Sequence, residues 1–213
     1  MGIYRGPKIV NDGLVLALDA GSIRSYPGTG TTWYDLSGNG NNGTLSASTI
    51  GTTTSGTMTF NGTNTSISIP SPNLTSSNFT VMGVAKRNTT ASGRLISGGA
   101  NNWLLGHWGV SSNASFQEGW ITPSTDYNDL NTHIYVVTGD IAGDVYTFYN
   151  NNVDNTSNSV GGSAGPNGFL LGKYFAGSEY GTGEIVSLYA YNRVLSVSEI
   201  TQNFNSQKYR FGL

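Results

Sequence analysis

The side chains that glycosidic chemistry would need are sparse in this chain. Its glutamates are Glu118, Glu179, Glu184 and Glu199. None falls in a Glu-x-Asp-x-x-Glu run, which would set two carboxylates about 5–10 Å apart on one strand face across a glycosidic bond. His107 and His133 lie inside strand-like patterns, where a packed, hydrogen-bonded ring is the ordinary state. No strand-turn-helix elbow supplies either with a nucleophile. No catalytic residue is assigned, and the chain is expected not to be an enzyme. Hard cations need several oxygen ligands carrying negative charge. Asp19 and Asp35 are the acids placed to offer one, but Asp35, in Asp-Leu-Ser-Gly, reads more simply as the cap of its own turn. No metal site is assigned, calcium is disfavoured, and no other cofactor is expected. Cysteine is absent, which removes thiolate sites and disulfides together.

The aromatic residues carry the binding question, because an exposed ring can stack on the apolar face of a sugar or fill a protein interface. Trp108, flanked by Leu104, Leu105 and Gly106, reads as core. Trp103 and Trp120 stand closer to loops and are the candidate ligand platforms, with Tyr127 beyond them.

The elements that must position these residues are strands. Charged residues make up 10% of the chain, its formal net charge is -2, and it contains 30 glycines. With no run of Lys or Arg there is no electrostatic footprint for nucleic acid, and no segment approaches the roughly 18 apolar residues of a membrane helix. Neither partner is expected. Short β-type runs recur between Gly/Asn turns: Leu14 to Leu18, Thr57 to Phe60, Ser66 to Ile69, Phe79 to Ala85, Arg94 to Ser97, Trp103 to Trp108, Phe116 to Ile121, His133 to Thr138, Val145 to Tyr149, Phe169 to Gly172 and Glu184 to Tyr191. Such a series predicts an antiparallel β-sandwich. Leu14 to Leu18 is apolar at every position, as in a strand covered on both faces. The one helix predicted runs from Ser196 to about Ser206, with Ser196 and Glu199 spaced as a capping box and Ile200 and Phe204 on one face. Near the other end, Trp33 to Leu45 places an aromatic anchor before an Asn/Gly loop, with Gly38, Gly40 and Gly43 expected to hold positive φ.

These stretches together resemble a known family. The Trp33–Leu45 loop, the Phe60-Asn61-Gly62 turn entering Ser66 to Ile69, the central strand Phe79 to Lys86, the hairpin His133 to Tyr149, the last strand Gly183 to Ser196 and the tail Gln202 to Gly212 follow its order. The chain resembles the concanavalin A-like superfamily, in the laminin-G-like form found in tailed-bacteriophage structural proteins. The resemblance implies an all-β, antiparallel β-sandwich (a concanavalin A-like jelly roll) with one short C-terminal helix, spanning 1–213 as one domain. Relatives often bind calcium through acidic residues, which are replaced here by Asn61, Asn64, Thr65, Val186 and Ser187.

The function the resemblance implies first is that of a virion structural protein. It would be made in the host cytoplasm and displayed as a capsid decoration or tail-fibre module, homo-oligomeric on the particle and in contact with other virion proteins. The alternative is a lectin-like module that recognises a host cell-surface polysaccharide. The segments 1–8 and 208–213 are candidate docking pieces, with Lys208, Tyr209, Arg210 and Phe211 as candidate interface residues. One architecture serves many roles, so the fold transfers more safely than any activity.

Overall fold

Alternating apolar residues on short β-branched and aromatic runs leave two faces that must be buried, and the chain resolves this with two stacked sheets. The computed structural model describes residues 7–52, 56–90, 93–108, 113–117, 119–121, 129–156 and 164–213. In chain order the strands are β1 (Leu14–Asp19), β2 (Thr32–Trp33), β3 (Gly43–Leu45), β4 (Gly51–Thr52), β5 (Thr57–Asn61), β6 (Ile67–Asn73), β7 (Phe79–Arg87) and β8 (Ile96–Gly98). There follow β9 (Trp103–His107), β10 (Asn113–Gln117), β11 (Trp120–Ile121), β12 (His133–Asp140), β13 (Val145–Asn150), β14 (Val153–Asp154), β15 (Asn167–Leu171) and β16 (Thr182–Tyr191), and then helix α1 (Val197–Gln207). The expected all-β sandwich with a short C-terminal helix is the observed architecture.

The first sheet runs β14-β13-β12-β7-β16-β5-β4. Along one edge of β16, β5 pairs with Thr182 to Ile185 and β1 with Ser187 to Tyr191, so two short strands lie end to end where one long one would fit. At the changeover β16 bulges against β7 between Ile185 and Ser187, and the Val186 carbonyl accepts from the Ala20 amide at 2.8 Å. The second sheet runs β11-β10-β9-β8-β15-β6-β3-β2. Between the sheets lies a core whose largest fully buried members include Trp33, Trp103, Tyr135, Phe79, Phe148 and Phe169. Full burial of side chains this size contributes roughly 1.5–3 kcal/mol each.

A second apolar layer covers the outer face of the first sheet. There Met82, Val84, Ile134, Val136, Tyr189 and Tyr191 meet Ile200 and Phe204 of α1. This explains β1, in which Leu16 and Leu18 face the intersheet core while Leu14 and Ala17 face the helix layer. The helix begins as predicted: Ser196 Oγ accepts from the Glu199 amide, and Glu199 returns the bond to the Ser196 amide. Asn203, a buried residue of α1, ties the N-terminal segment down. Its Oδ1 accepts from the Val10 amide at 2.8 Å and its Nδ2 donates to the Tyr191 hydroxyl at 3.0 Å.

In the Asn/Gly loop, Trp33 is a buried anchor, and Gly38 and Gly40 have φ of 93° and 72°. Gly43 corrects the expectation. It is absent from the positive-φ residues, and a Cβ there would stand 3.0 Å from Ile67 Cγ2, so close packing of β3 on β6 explains it.

Candidate functional site

Trp103 opens β9 and Trp108 directly follows its last residue, His107, and the two indoles have opposite surroundings. Trp103 takes the inside. It is 0% exposed and makes edge contacts with Phe79 and Phe169, at centroid distances of 6.4 and 5.9 Å. Trp108 takes the outside and is 39% exposed. This reverses the expectation for both: Trp103 is buried in the core, and Trp108 is the one partly exposed.

Trp108 forms a wall of a cleft of about 220 Å³ on the outer side of the second sheet, lined also by Arg94, Asn102, Leu104 and Phe116. Leu104 and Phe116 lie directly opposite each other in the β9–β10 register, so they form one apolar floor. The polar wall is built around Arg94, which is only 7% exposed. Its Nε donates to Glu179 Oε2 at 2.6 Å and its Nη1 to Asn102 Oδ1 at 2.8 Å. The guanidinium carbon sits 4.0 Å from the centroid of the Tyr174 ring. A buried cation requires this degree of pairing, since desolvation costs it several kcal/mol. Trp108 Nε1 donates to the same Glu179 Oε2 at 3.1 Å, which fixes the indole's direction.

Glu179 and Tyr174 come from the loop between β15 and β16, and backbone bonds hold that loop against the sheet. The Arg94 amide donates to the Glu179 carbonyl at 3.2 Å and the Gly172 amide to the Leu95 carbonyl at 2.8 Å. Gly93, at φ 141°, permits the approach, because a Cβ there would overlap the Tyr180 carbonyl oxygen.

The other expected site residues are placed as follows. Trp120 lies on β11, its backbone paired with Phe116 of the cleft floor. Tyr127 lies outside the described residues. Lys208, Tyr209 and Arg210 form a single 3-10 turn after α1; Arg210 forks onto Asp19, with both bonds at 2.9 Å, and Tyr209 is exposed. Phe211 packs against the helix-covered layer of the first sheet. The cleft residues Arg94, Asn102 and Glu179 were not expected. Their signal lies in the pairing of a β8-flanking arginine with a loop glutamate 85 positions away, which sequence does not display.

A larger opening of about 500 Å³ lies beside the first sheet, where Lys86, Asp129, Thr132, His133 and Phe211 are among its lining. Its histidine and aspartate engage each other. His133 Nε2 and Asp129 Oδ1 stand 2.9 Å apart, and His133 Nδ1 is 2.9 Å from Asn150 Oδ1. Burial alone pushes the Asp129 carboxyl up, but hydrogen bonds from His133 and the Asn131 amide outweigh it and hold the group below its usual range. On the opposite sheet His107 meets the Tyr135 hydroxyl at 3.0 Å. Burial, with the Arg87 charge adding to it, lowers this histidine to about 3 and keeps it neutral. Both histidines are therefore packed and hydrogen-bonded, as read. The phenyl ring lining this opening is that of Phe211, which packs on the apolar layer of the first sheet, whereas Trp108 is 39% exposed at the smaller cleft.

The acids weighed for calcium are already engaged. Asp35 accepts from the amides of Ala17, Ser37 and Asn41 and from Ser37 Oγ, while Asp19 receives the Gly21 amide and Arg210. Among the described residues no three His, Cys, Asp or Glu side chains gather at one point.

No family model matches the sequence, and no curated protein matches it. Solved structures do share its architecture. Domain 4 of an extracellular GH43 arabinanase from Geobacillus stearothermophilus, in complex with arabinotriose, superposes at a TM-score of 0.63 and 16% identity, covering 90% of this chain and 98% of that one. Trypanosoma rangeli sialidase with the inhibitor DANA gives 0.62 and 16%, covering 94% of this chain, which spans 34% of the sialidase. The ligand-binding domain of botulinum neurotoxin serotype D with N-acetylneuraminic acid gives 0.60 and 14%, covering 94% and 52%. At such identities the likeness is one of fold.

These structures correct the expectation that the chain is not an enzyme. A missing Glu-x-Asp-x-x-Glu run rules out one layout of catalytic acids. With sialidases and a domain of an arabinanase among the proteins sharing this architecture, it does not rule out glycoside chemistry, and the exclusion is withdrawn. The virion reading receives no support from them.

Proposed function

We propose that this protein binds a carbohydrate in the cleft on the outer face of the second sheet, with one ring stacked on Trp108. The observation that carries the reading is the exposed Trp108 indole held in direction by Glu179 beside the buried Arg94. An apolar floor, a partly exposed aromatic wall and a few convergent polar groups are what a small polar ligand with an apolar face requires. The cleft's volume, about 220 Å³, is below the roughly 300–1,000 Å³ of drug-sized sites and suits a single ring. Support also comes from the fold, since two structures sharing it hold arabinotriose and N-acetylneuraminic acid.

The test is a glycan array followed by titration of the bound sugars. Trp108→Ala is expected to weaken binding by roughly tenfold or more, on the order of the loss when an interface anchor is truncated, while the folded state persists. An array on which the variant and the unaltered protein bind alike would refute the assignment.

A further inference from the structure

We infer that the cleft selects neutral sugar rings over acidic ones; this rests on the glycan-binding reading above. The polar wall contains one cation and one anion, Arg94 and Glu179, in contact at 2.6 Å, so its formal charges cancel. The guanidinium is also committed geometrically. Nε and one N–H of Nη1 are taken by Glu179 and Asn102 and one face is stacked on Tyr174, which leaves one N–H of Nη1 and both of Nη2 without a hydrogen bond among the described residues. A ligand carboxylate would have to share this cation with Glu179, which already neutralises it at 2.6 Å. Such a carboxylate would also stand close to Glu179, whose side chain is 37% exposed, at a distance where like charges repel.

Hydroxyl groups fit the same atoms. Glu179 Oε1 has no donor, and Asn102 Nδ2 has no acceptor, among the described residues. One open acceptor therefore stands near open donors on two residues. A neutral sugar hydroxyl gives a proton and accepts one, and its ring leaves an apolar C–H face for Trp108.

The experiment uses the whole chain and a panel of glycans in matched pairs, each neutral glycan set against the same glycan bearing a terminal N-acetylneuraminic or uronic acid at the ring presented. The neutral member is expected to bind roughly tenfold or more tightly, in a way that Trp108→Ala abolishes. Its affinity should change less than about twofold between roughly 0.05 and 0.5 M salt, since no net charge is paired on binding. Glu179→Gln should narrow the preference by admitting the acidic members. Because that change also removes the partner of Arg94, the salt series on unaltered protein stands as the independent measurement. Trp108-dependent binding that is tighter for the acidic members, or that collapses with salt, overturns the inference and leaves the glycan reading intact. Loss of Trp108-dependent binding across both halves of the panel overturns the glycan reading and the inference with it.

Discussion

The two sheets share one core through their inner faces, yet their outer faces are finished differently. On the first sheet Met82, Val84, Ile134 and Val136 form an apolar layer that α1, Val10 and Phe211 close. On the second, the pairing registers put Ser68, Leu170, Ser97, Leu104 and Phe116 in one row across five strands, mixed in polarity, and among the described residues no helix covers them. What crosses that row is the β15–β16 loop, pinned through Arg94 and Glu179, with the aromatic cleft at its margin. A face that is apolar throughout must be covered and then serves stability. A face of mixed polarity can stay open, and its few large rings become available for recognition.

The sharpest way to break this contrast is at the two ends of β9, with Trp103 as its first residue and Trp108 just past its last. Trp103→Ala removes a fully buried ring from the intersheet core and is expected to cost about 3–5 kcal/mol, a fall in melting temperature of roughly 10 °C or more. Trp108→Ala is expected to cost about 1 kcal/mol, the scale of its bond to Glu179, and to take binding with it. Equal melting temperatures for the two variants would mean that the sides of the strand are not as assigned.

His107 lies on the inner side of the same strand, and its burial predicts a pH dependence. Because the folded group is lowered to about 3, the unfolded chain takes up a proton near pH 6.5 while the folded one does not. Stability is therefore full above about pH 6.5 and declines as pH falls toward 3, at up to about 1.4 kcal/mol per unit, or about 2 kcal/mol by pH 5. Glu199 is lowered to about 2, chiefly by Arg193, and so adds its own loss only below about pH 4.5. The range from pH 6.5 to 5 thus isolates the histidine. Thermal melts at pH 7, 6 and 5 should show a slope that His107→Gln flattens and Glu179→Gln, on the outer side, leaves alone.

The strands, the capped helix and the double coverage of β1 were legible because each is written locally, as alternation, a cap spacing or an unbroken apolar run. The orientation of the two tryptophans was half legible. The flanking leucines at 104 and 105 read as a sign of burial at 108, but the strand ends at His107, and the core takes Trp103 instead. The Arg94–Glu179 pair was illegible because it depends on the β15–β16 loop folding back on β8, a contact set by sheet order. The acids Asp19 and Asp35 were read as loose ligands or local caps, and the bonds from Arg210 and the Ala17 amide come from elements distant in sequence.

The glycines of the Trp33–Leu45 loop separate two kinds of requirement. Gly38 and Gly40 have positive φ and open space around a would-be Cβ, so alanine there meets backbone strain alone, about 1 kcal/mol each. Gly43→Ala meets Ile67 instead, and crowding in a packed sheet is expected to cost about 1–3 kcal/mol. Denaturant melts of the three variants check the order, and a Gly43 variant as stable as the parent would place β3 further from β6 than described.

The smallest effect is expected where the chain's end meets the first sheet. Arg210 forks onto Asp19 with both bonds at 2.9 Å, but the two side chains are 34% and 19% exposed. Solvent screens such a pair, and its ordered geometry costs side-chain entropy, so Arg210→Ala should lower stability by less than about 1 kcal/mol. The difference should vanish near 1 M salt, where the screening length falls to about 3 Å. Phe211, which packs on the apolar layer, supplies the stronger hold on this segment. A loss above about 2 kcal/mol for Arg210→Ala, unaltered by salt, would mean that the fork is part of the closure of the outer layer. The covered face of the first sheet would then depend on charge as well as on apolar packing, and the contrast with the open face of the second would be weaker than drawn.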